Sequence, residues 1–308
     1  MPDSTYRFIS VIYNPLAGKL RRRPSLLSRT VEILKATGAE VRLEPTAGPG
    51  DAGAIATRCI QQSSDLILVA GGDGTVNEAL QGMVGAGVPL GVLPAGTANV
   101  LAMELGLGSK MKRVAAMLPG LVPRQISLGR LRAVGCENGR YFLAMTGAGL
   151  DADIIRGLNL RLKSATGKFA YWVAGAAKLA SLLGRVHADV NGQRFTAGFA
   201  LVSRVRNYGG DLEIAHSVRL TDDDFEVVLF EGRVPLRYGL YFLGVITRLE
   251  KFLPGISVMR SRRVELLPAD SRDIFLQVDG ELAGKLPATL ELVPGGITLL
   301  MPPSYPHG

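Results

Sequence analysis

The sequence contains few of the residues that build disulfide and metal sites. Only two cysteines, Cys59 and Cys136, and three histidines occur among its 308 residues. Two cysteines exclude a disulfide framework and a cysteine-built zinc site, and no histidines have the spacing of metal ligands. The scarcity of cysteine predicts a reducing, cytoplasmic environment.

Long uncharged runs are also scarce. The first residues lack the basic start and apolar core of a secretion signal, so we expect none. One candidate span, residues 79–103, has no charged side chain but contains Pro89, Pro94 and five glycines. These residues divide the run into short pieces, which predicts a strand and turns and excludes a transmembrane helix.

Acidic residues are outnumbered by basic ones. The chain has 35 Lys and Arg against 27 Asp and Glu, a formal net charge of +8. Such a surface attracts nucleotides, nucleic acid or anionic lipid. No reading helix, zinc finger or aromatic-rich sheet supports a nucleic-acid partner, so we expect none. The length favours two domains, and 47% hydrophobic residues suffice for their cores.

The first 130 residues alternate strands and helices. Predicted strands cover 7–13, 40–45, 65–70 and 89–93, and predicted helices cover 24–37, 50–62, 75–84 and 98–105. This order predicts an α/β domain at 1–130 with a parallel, Rossmann-like sheet covered on both faces. Ligands of such sheets bind beyond the carboxyl ends of the strands.

Residues 131–308 have a different pattern, which predicts an all-β, sandwich-like domain. Short strands are predicted at 125–133, 140–146, 187–190, 193–203, 226–230, 256–267, 274–278, 289–293 and 297–301, with inserted helices near 167–183 and 235–252. Turns are predicted at 137–139 and 191–192. We expect the last strand to return to the first domain, and an exposed edge strand would allow a homodimer.

Three loops follow strands of the predicted parallel sheet. The strongest signal is GGDGTVNE at 71–78, where glycines and a helix N-terminus would let the backbone approach a phosphate. Asp73 would repel a phosphate, so it would hold a magnesium ion through water, orient another group, or simply cap its helix. PAGTAN at 94–99 and NPLAGK at 14–19 have the same placement. The latter lacks Walker spacing, which excludes that class of nucleotide site.

Taken in order, these motifs resemble the diacylglycerol kinase catalytic-domain superfamily. The resemblance rests on NPLAGK, Thr46 with PGDA at 49–52, GGDGTVNE, PAGTAN, GAGLDA at 147–152 and VDGE at 278–281. The superfamily includes bacterial diacylglycerol and multisubstrate lipid kinases, sphingosine kinases and ceramide kinases. The resemblance implies ATP and Mg²⁺ as cofactors and a membrane lipid as acceptor.

The resemblance also implies roles for particular residues. Asp279 is the implied general base, with Glu281 beside it and Asp73 near the phosphates, and Asp151 lies toward the lipid acceptor. The implied nucleotide-binding residues are Asn14, Lys19, Thr46, Gly71, Gly72, Asp73, Gly74, Thr75, Val76, Asn77, Glu78, Gly96, Thr97 and Asn99. Taken alone, Asp279-Gly280 is more typical of a plain hairpin turn.

Three positions depart from the family pattern. Ala17 replaces a common serine and Val100 replaces a frequent aspartate. Some bacterial members carry a structural magnesium site; here Asp222 and Asp224 would be its ligands, but Asp223 replaces a glycine, and a solvated acidic turn is the alternative.

Reaching a lipid requires contact with a bilayer. Residues 156–185 carry six basic and no acidic side chains around Tyr171 and Trp172, typical of a peripheral membrane segment or of an amphipathic helix packed on the sandwich. The sequence thus favours an ATP-dependent lipid kinase in the cytoplasm, associated peripherally with the membrane. The alternatives are an NAD kinase-like enzyme and a non-catalytic nucleotide- or lipid-binding regulator.

Overall fold

A computed structural model describes residues 6–149, 184–208, 212–231, 240, 241, 244 and 253–306. The helix predicted at 167–183 and nearly all of that predicted at 235–252 lie outside the described residues. So do Asp151 and almost all of the basic segment 156–185.

The amino-terminal part has the predicted α/β architecture. Its strands are β1 (Phe8–Tyr13), β2 (Glu40–Pro45), β3 (Leu66–Gly71) and β4 (Leu90–Pro94). Its helices are α1 (Gly18–Arg22), α2 (Ser25–Lys35), α3 (Asp51–Gln61), α4 (Asp73–Gln81), α5 (Val100–Glu104) and α6 (Met111–Met117), followed by a 3₁₀ turn at Leu118–Gly120. Every predicted element is present within three residues at its boundaries, whereas the short helices α1 and α6 were not predicted.

The four strands are parallel, in the order β4-β3-β1-β2. Their carboxyl ends coincide, because Tyr13 pairs with Pro45 and Ala70, and Gly71 pairs with Pro94. Strand β3 is buried along its whole length, which its uninterrupted apolar sequence requires. The loops that follow these strands therefore lie along one edge of the sheet.

The carboxyl-terminal part is β-rich. After the long β5 (Val122–Val134), its strands are β6 (Cys136–Phe142), β7 (Met145–Gly149), β8 (Val186–Val190), β9 (Gln193–Ala197), β10 (Phe199–Ser203), β11 (Asn207–Tyr208), β12 (Leu212–Glu213), β13 (Phe225–Phe230), β14 (Ile256–Ser261), β15 (Arg263–Pro268), β16 (Phe275–Val278) and β17 (Glu281–Met301). Three predicted strands are each divided in two: 140–146, 193–203 and 256–267.

Two local predictions have opposite outcomes. The turn at Asn191-Gly192 is confirmed, because both residues have positive φ and join β8 to β9. The turn predicted at 137–139 is wrong, since those residues belong to β6 and the chain reverses at Gly135. Gly135 and Gly139 are both glycines, so the local sequence does not distinguish them. The pairing of β6 with β5 places the reversal at Gly135.

A second core lies inside the β-rich part. Strands β14-β13-β10-β7-β16 form one run, and β17 continues from β16 to pair with β5 and β15. Apolar side chains from these strands pack together, with the rings of Phe142 and Phe225 stacked 5.8 Å apart between centroids.

Strand β17 connects the two parts of the fold. It starts beside β16, pairs along most of its length with β5, and reaches β4 in parallel where Leu299 faces Leu90. The β16–β17 turn is thereby held on the same sheet as the parallel strands. Among the described residues, none of the helices combines the length and the apolar character needed to span a bilayer.

Candidate active site

Asp279 occupies the two-residue turn between β16 and β17. Val278 pairs with Glu281 across this turn, and both Asp279 (φ 47°) and Gly280 (φ 88°) have the left-handed backbone of a tight hairpin. The turn interpretation of Asp-Gly is therefore right about the backbone. A non-glycine residue in this conformation is uncommon, and what its side chain contacts decides its role.

The Asp279 carboxylate is held by four N–H donors. The backbone N–H groups of Ala144 and Met145 donate to Oδ1 at 3.0 and 2.9 Å. The backbone N–H of Leu143 (3.2 Å) and the side-chain Nδ2 of Asn77 (2.8 Å) donate to Oδ2. No arginine or lysine of the described part of the chain forms an ion pair with it. The carboxylate is therefore fixed in place without being neutralised.

Burial governs the pKa of this carboxyl group. Desolvation raises the pKa of Asp279 above its usual value, although the hydrogen bonds from Met145, Leu143, Asn77 and Ala144 act in the opposite direction. The group is consequently more ready to accept a proton near neutral pH than an exposed aspartate is.

Asp73 is the second carboxylate of the site. Burial first, and repulsion from Asp279 second, raise its pKa to about 6. The backbone N–H groups of Asn99, Val100 and Leu101, at the start of α5, act in the opposite direction by hydrogen bonding to it. The charge of Asp279 thus favours the protonated form of Asp73.

Asp73 does not cap its own helix. Gly72 occupies the cap position of α4, and Asp73 is the first helical residue. Its carboxylate instead binds the start of the next helix along the sheet edge. Asp73 is therefore not the cap residue of α4, and its roles in holding a magnesium ion or orienting another group stay predictions.

One glycine in each of the GGDGT and PAGT loops lies where a side chain would collide. A Cβ at Gly74 would lie 2.2 Å from Glu281 Oε1, and a Cβ at Gly96 would lie 2.5 Å from the Cα of Gly72. The GGDGT and PAGT loops thus pack backbone against backbone, and Glu281 lies close to Gly74 of the GGDGT loop. The structure brings these predicted residues together.

Asn77 and Arg140 connect the loop to the turn. The Asn77 amide donates through Nδ2 to Asp279 and to the Tyr141 carbonyl (2.9 Å), and its Oδ1 accepts from Arg140 Nε at 2.9 Å. Arg140 Nη2 also donates to Glu281 Oε2 at 2.5 Å. Asn77 is 1% exposed, so it contacts Asp279 rather than a solvent-side ligand.

Gln81 completes this connection one helical turn later. Its Oε1 accepts from the Tyr141 backbone N–H at 3.0 Å, and its Nε2 donates to the Tyr141 carbonyl at 2.9 Å. The sequence alone did not indicate Arg140, Gln81 or the N–H groups at 143–145. No local pattern could reveal them, because Asn77 and Tyr141 lie 64 residues apart.

The other residues predicted to bind the nucleotide differ in how exposed they are. Thr97 is exposed and Thr46 and Glu78 are half-buried, whereas Thr75 and Val76 are buried inside α4. Thr46 and Thr97 lie in loops at the carboxyl edge of the sheet. Gly71 ends β3 and accepts hydrogen bonds from the backbone of the PAGT loop.

Three side chains predicted to bind the nucleotide form hydrogen bonds within the loops. Lys19 Nζ donates to the carbonyls of Ser109 (2.5 Å) and Pro94 (3.3 Å), and burial lowers its pKa. Asn99 Oδ1 accepts from the Gly96 N–H at 2.8 Å, which closes the PAGT loop. Asn14 Oδ1 accepts from the Leu16 N–H. These three side chains stabilise the loops.

The acidic turn predicted to bind magnesium is built around arginines. Asp222 and Asp224 both accept a hydrogen bond from Nη2 of Arg260, at 2.6 Å for Asp222. Asp223 Oδ1 accepts from Ser127 Oγ at 2.5 Å. The carboxylates of Asp222 and Asp224 thus lie close enough to share one nitrogen of Arg260, whose guanidinium pairs with both acids in this structure. Within the described ranges, no three His, Cys, Asp or Glu residues are arranged to hold a metal ion.

A second arginine lies beneath that turn. Arg204 is completely buried and donates to the carbonyls of Leu220 (2.7 Å) and Asp222 (3.3 Å). Burial lowers its pKa to about 10, although Asp223 and Asp222 oppose the shift. Burial also acts to lower the pKa of Arg260, but its hydrogen bonds to Asp224 and Asp222 outweigh that effect and raise it.

Comparison with known proteins decides the family. The model of the diacylglycerol kinase catalytic domain matches residues 9–131, and that of the YegS C-terminal NAD kinase beta sandwich-like domain matches residues 144–301. The chain belongs to the diacylglycerol kinase family. It is a lipid kinase, and membership of a kinase family implies ATP as the phosphoryl donor.

Individual relatives agree along the chain. The diacylglycerol kinases of Staphylococcus saprophyticus and Bacillus subtilis are each 28% identical, over 286 and 300 residues. The first alignment covers 90% of both chains and the second 95% of both. A crystallised candidate diacylglycerol kinase from Bacillus anthracis superposes with a TM-score of 0.83 at 21% identity, covering 99% of this chain and 98% of that one. At that identity the superposition supports the fold alone.

Proposed function

We propose that this lipid kinase transfers the γ-phosphoryl group of ATP to the free hydroxyl of diacylglycerol. The observation that carries the proposal is the Asp279 carboxylate, which four N–H donors fix and no cation of the described residues neutralises. The relatives named diacylglycerol kinase support the choice of acceptor.

Asp279 is the proposed general base. The lipid hydroxyl oxygen forms a bond to the γ-phosphorus, the bond from that phosphorus to the bridging oxygen breaks, and ADP leaves. The hydroxyl proton passes to the Asp279 carboxylate, whose raised pKa suits it to receive one. Positioning and charge neutralisation are the main tasks of the site, since phosphoryl transfer needs little covalent help.

The loops at the sheet edge are the proposed ATP site. The hydroxyls of Thr46 and Thr97 are reachable there and make no hydrogen bond within the described part of the chain. Loop backbone N–H groups and these hydroxyls suit phosphate oxygens. Lys19 stabilises the loop through two carbonyls, and the third N–H of its ammonium group is available to a phosphate oxygen.

Mg²⁺ would be held by Asp73. Magnesium commonly takes one or two carboxylates together with substrate phosphates, and Asp73 is a partly exposed acid beside the glycine loop. When bound, the ion neutralises phosphate charge. Its positive charge would also favour the ionised form of Asp73.

An exposed basic surface is the proposed membrane contact. Three arginines follow the NPLAGK loop, namely Arg21, Arg22 and Arg23. Helix α6 carries two more basic residues, Lys112 and Arg113. All are exposed, and none has an ion-pair partner in the ranges that the structure describes. The Lys19–Ser109 hydrogen bond joins the two segments. Anionic headgroups would supply the missing counter-charges, at about 1 kcal/mol for each basic residue.

The acceptor is tested by transfer of labelled γ-phosphate from Mg·ATP to lipids in mixed micelles. Diacylglycerol, monoacylglycerol, a sphingoid base, ceramide and phosphatidylglycerol are assayed beside NAD and water. We expect the label in phosphatidic acid. Label predominantly in another lipid would overturn the choice of diacylglycerol, and label only in NAD would replace the proposal with an NAD kinase-like activity.

The membrane contact is tested by vesicle flotation. Vesicles containing anionic lipid should retain the wild type better than zwitterionic vesicles do. Replacing Arg21, Arg22 and Arg23 by glutamine should weaken that retention, whereas Arg132→Gln should not. Equal flotation of all three proteins would contradict the assignment of this surface.

A further inference from the structure

The hydrogen bonds of Arg140 point to a role for this residue in the proposed reaction. Its guanidinium lies between the glycine loop and the β16–β17 turn, where Nε donates to Asn77 Oδ1 at 2.9 Å and Nη2 donates to Glu281 Oε2 at 2.5 Å. The side chain is 21% exposed, so solvent only partly replaces these bonds. Arg140 therefore contacts one residue of α4 and one of β17 at once.

The contact with Asn77 fixes the orientation of an amide. An arginine Nε–H can only donate, so the atom of Asn77 that faces it must be the oxygen. Gln81 Nε2 also donates to this oxygen, at 3.4 Å, so Arg140 Nε at 2.9 Å is the nearer of its two donors. The Asn77 nitrogen then faces Asp279, to which it donates at 2.8 Å, and the Tyr141 carbonyl. A rotated amide would instead place its oxygen against the Asp279 carboxylate, where two acceptors repel each other.

We propose that Arg140 is a positioning residue for the base: it locks the Asn77 amide so that Asp279 is held in its ionised, proton-accepting form. The proposal rests on the proposed function of Asp279. Through Glu281, Arg140 also holds a second acid against Gly74, so one guanidinium sets the geometry on both sides of the turn.

Loss of Arg140 should have a distinctive effect on the pH profile. The Asn77 hydrogen bond lowers the pKa of Asp279, so its loss should raise that pKa. In Arg140→Gln the rise of kcat with pH should therefore occur at higher pH than in the wild type. A misplaced base should lower kcat about tenfold to a hundredfold, with the KM for ATP unchanged.

Arg140→Lys separates the two contacts. An ammonium can still pair with Glu281, but it lacks the planar fork that reaches Asn77 at the same time. If the action runs through Asn77, the lysine variant shares the displaced pH profile of Arg140→Gln. Recovery of the wild-type profile in Arg140→Lys would overturn the proposal and leave only a charge interaction with Glu281.

The matched control is Arg132→Gln. Arg132 forms a 3.3 Å ion pair with Glu291 on the neighbouring strands, away from the turn. Asp279→Asn is measured in parallel, which separates the two hypotheses. If Asp279→Asn keeps wild-type activity, the proposed base is wrong. If Asp279→Asn is inactive while Arg140→Gln matches Arg132→Gln in kcat and pH profile, only the role of Arg140 is wrong.

A double variant completes the test. Because Arg140 acts through Asn77, the combined Arg140→Gln/Asn77→Ala variant should lose little more kcat than Asn77→Ala alone. If the loss of kcat in the double variant equals the product of the losses in the two single variants, the residues act independently and the coupling is contradicted. The melting temperature of each variant is recorded, and kcat is compared at a temperature where all remain folded.

Discussion

Asp279 and Asp222 both lie in turns of the β-rich part, but different groups face their carboxylates. Three backbone N–H groups and the Asn77 amide hold Asp279, whereas Asp222 accepts from the Arg260 guanidinium and from the Arg219 backbone N–H. Neutral donors fix a carboxylate without cancelling its charge, and a guanidinium cancels it. The first arrangement leaves an acid that can accept a proton, and the second gives a structural ion pair.

The largest difference between the two turns should appear on removing one charge from each. Asp279→Asn should lower kcat by about 10²–10⁴-fold, the usual contribution of a general base. Asp223→Asn, in the acidic turn, should retain activity, because an asparagine oxygen can still accept from Ser127. Initial rates of lipid phosphorylation measure both.

Stability provides the control for the Asp279 variant. An aspartate with a raised folded-state pKa favours folding while protonated, and this stabilisation is lost as pH rises from the unfolded to the folded pKa. At neutral pH, removing the charge should therefore not unfold the protein, but the amide nitrogen of Asp279→Asn faces N–H donors and should cost about 1–3 kcal/mol in the free energy of unfolding. A large fall in melting temperature would mean that its inactivity reflects misfolding.

Removing Arg260 should affect the acidic turn alone. Arg260→Gln would leave Asp222 and Asp224 without their shared partner, at a cost of about 1–3 kcal/mol in the free energy of unfolding. Denaturant unfolding measures the change, and Arg262→Gln, which loses only one bond to a carbonyl, is the matched control. The kcat of folded Arg260→Gln should equal that of the wild type.

Thermal melting tests the predicted magnesium site in the same turn. If Arg260 supplies the positive charge of the turn, nucleotide-free wild type should melt at the same temperature in excess Mg²⁺ and in excess EDTA. A clear rise with Mg²⁺ that Asp222→Asn abolishes would restore the metal interpretation.

A smaller effect should follow from crowding the site. In Gly74→Ala the new Cβ would displace the Glu281 carboxylate, which is 41% exposed and free to move aside, and would break its pairing with Arg140. We expect a kcat about tenfold lower with little change in melting temperature. Gly120→Ala is the control, because no atom lies within 4 Å of its added Cβ. Wild-type kcat in Gly74→Ala would show that the position of Glu281 is unimportant.

The sequence predicted the parallel sheet well because its information is local. Strand β3 is a continuous apolar run that ends at glycine, and each neighbouring strand is followed by a loop with turn residues. Parallel pairing then places these loops at one edge. The motif resemblance added the family, which the comparisons confirm.

The contacts of the site could be predicted only in part. For Asp279-Gly280, a plain hairpin turn and a catalytic aspartate were alternative interpretations of the sequence. In the structure the tight turn presents the Asp279 carboxylate to the N–H groups of 143–145. Arg140 and Gln81 carry no local signal, because their partners are distant in sequence. Likewise, nothing within residues 221–226 indicates that the guanidinium of Arg260 pairs with Asp222 and Asp224.

The most direct test of the proposed base is the pH dependence of kcat in wild type and Asn77→Ala, at saturating Mg·ATP. Burial raises the pKa of Asp279 and the Asn77 hydrogen bond lowers it, so wild-type activity should fall on acidification above the usual range of carboxyl groups. Asn77→Ala removes that hydrogen bond, so its residual activity should be lost at higher pH than wild-type activity. Titration of the nucleotide is common to both proteins and cannot produce that difference. Identical profiles in the two proteins would contradict Asp279 as the group whose ionisation limits the reaction.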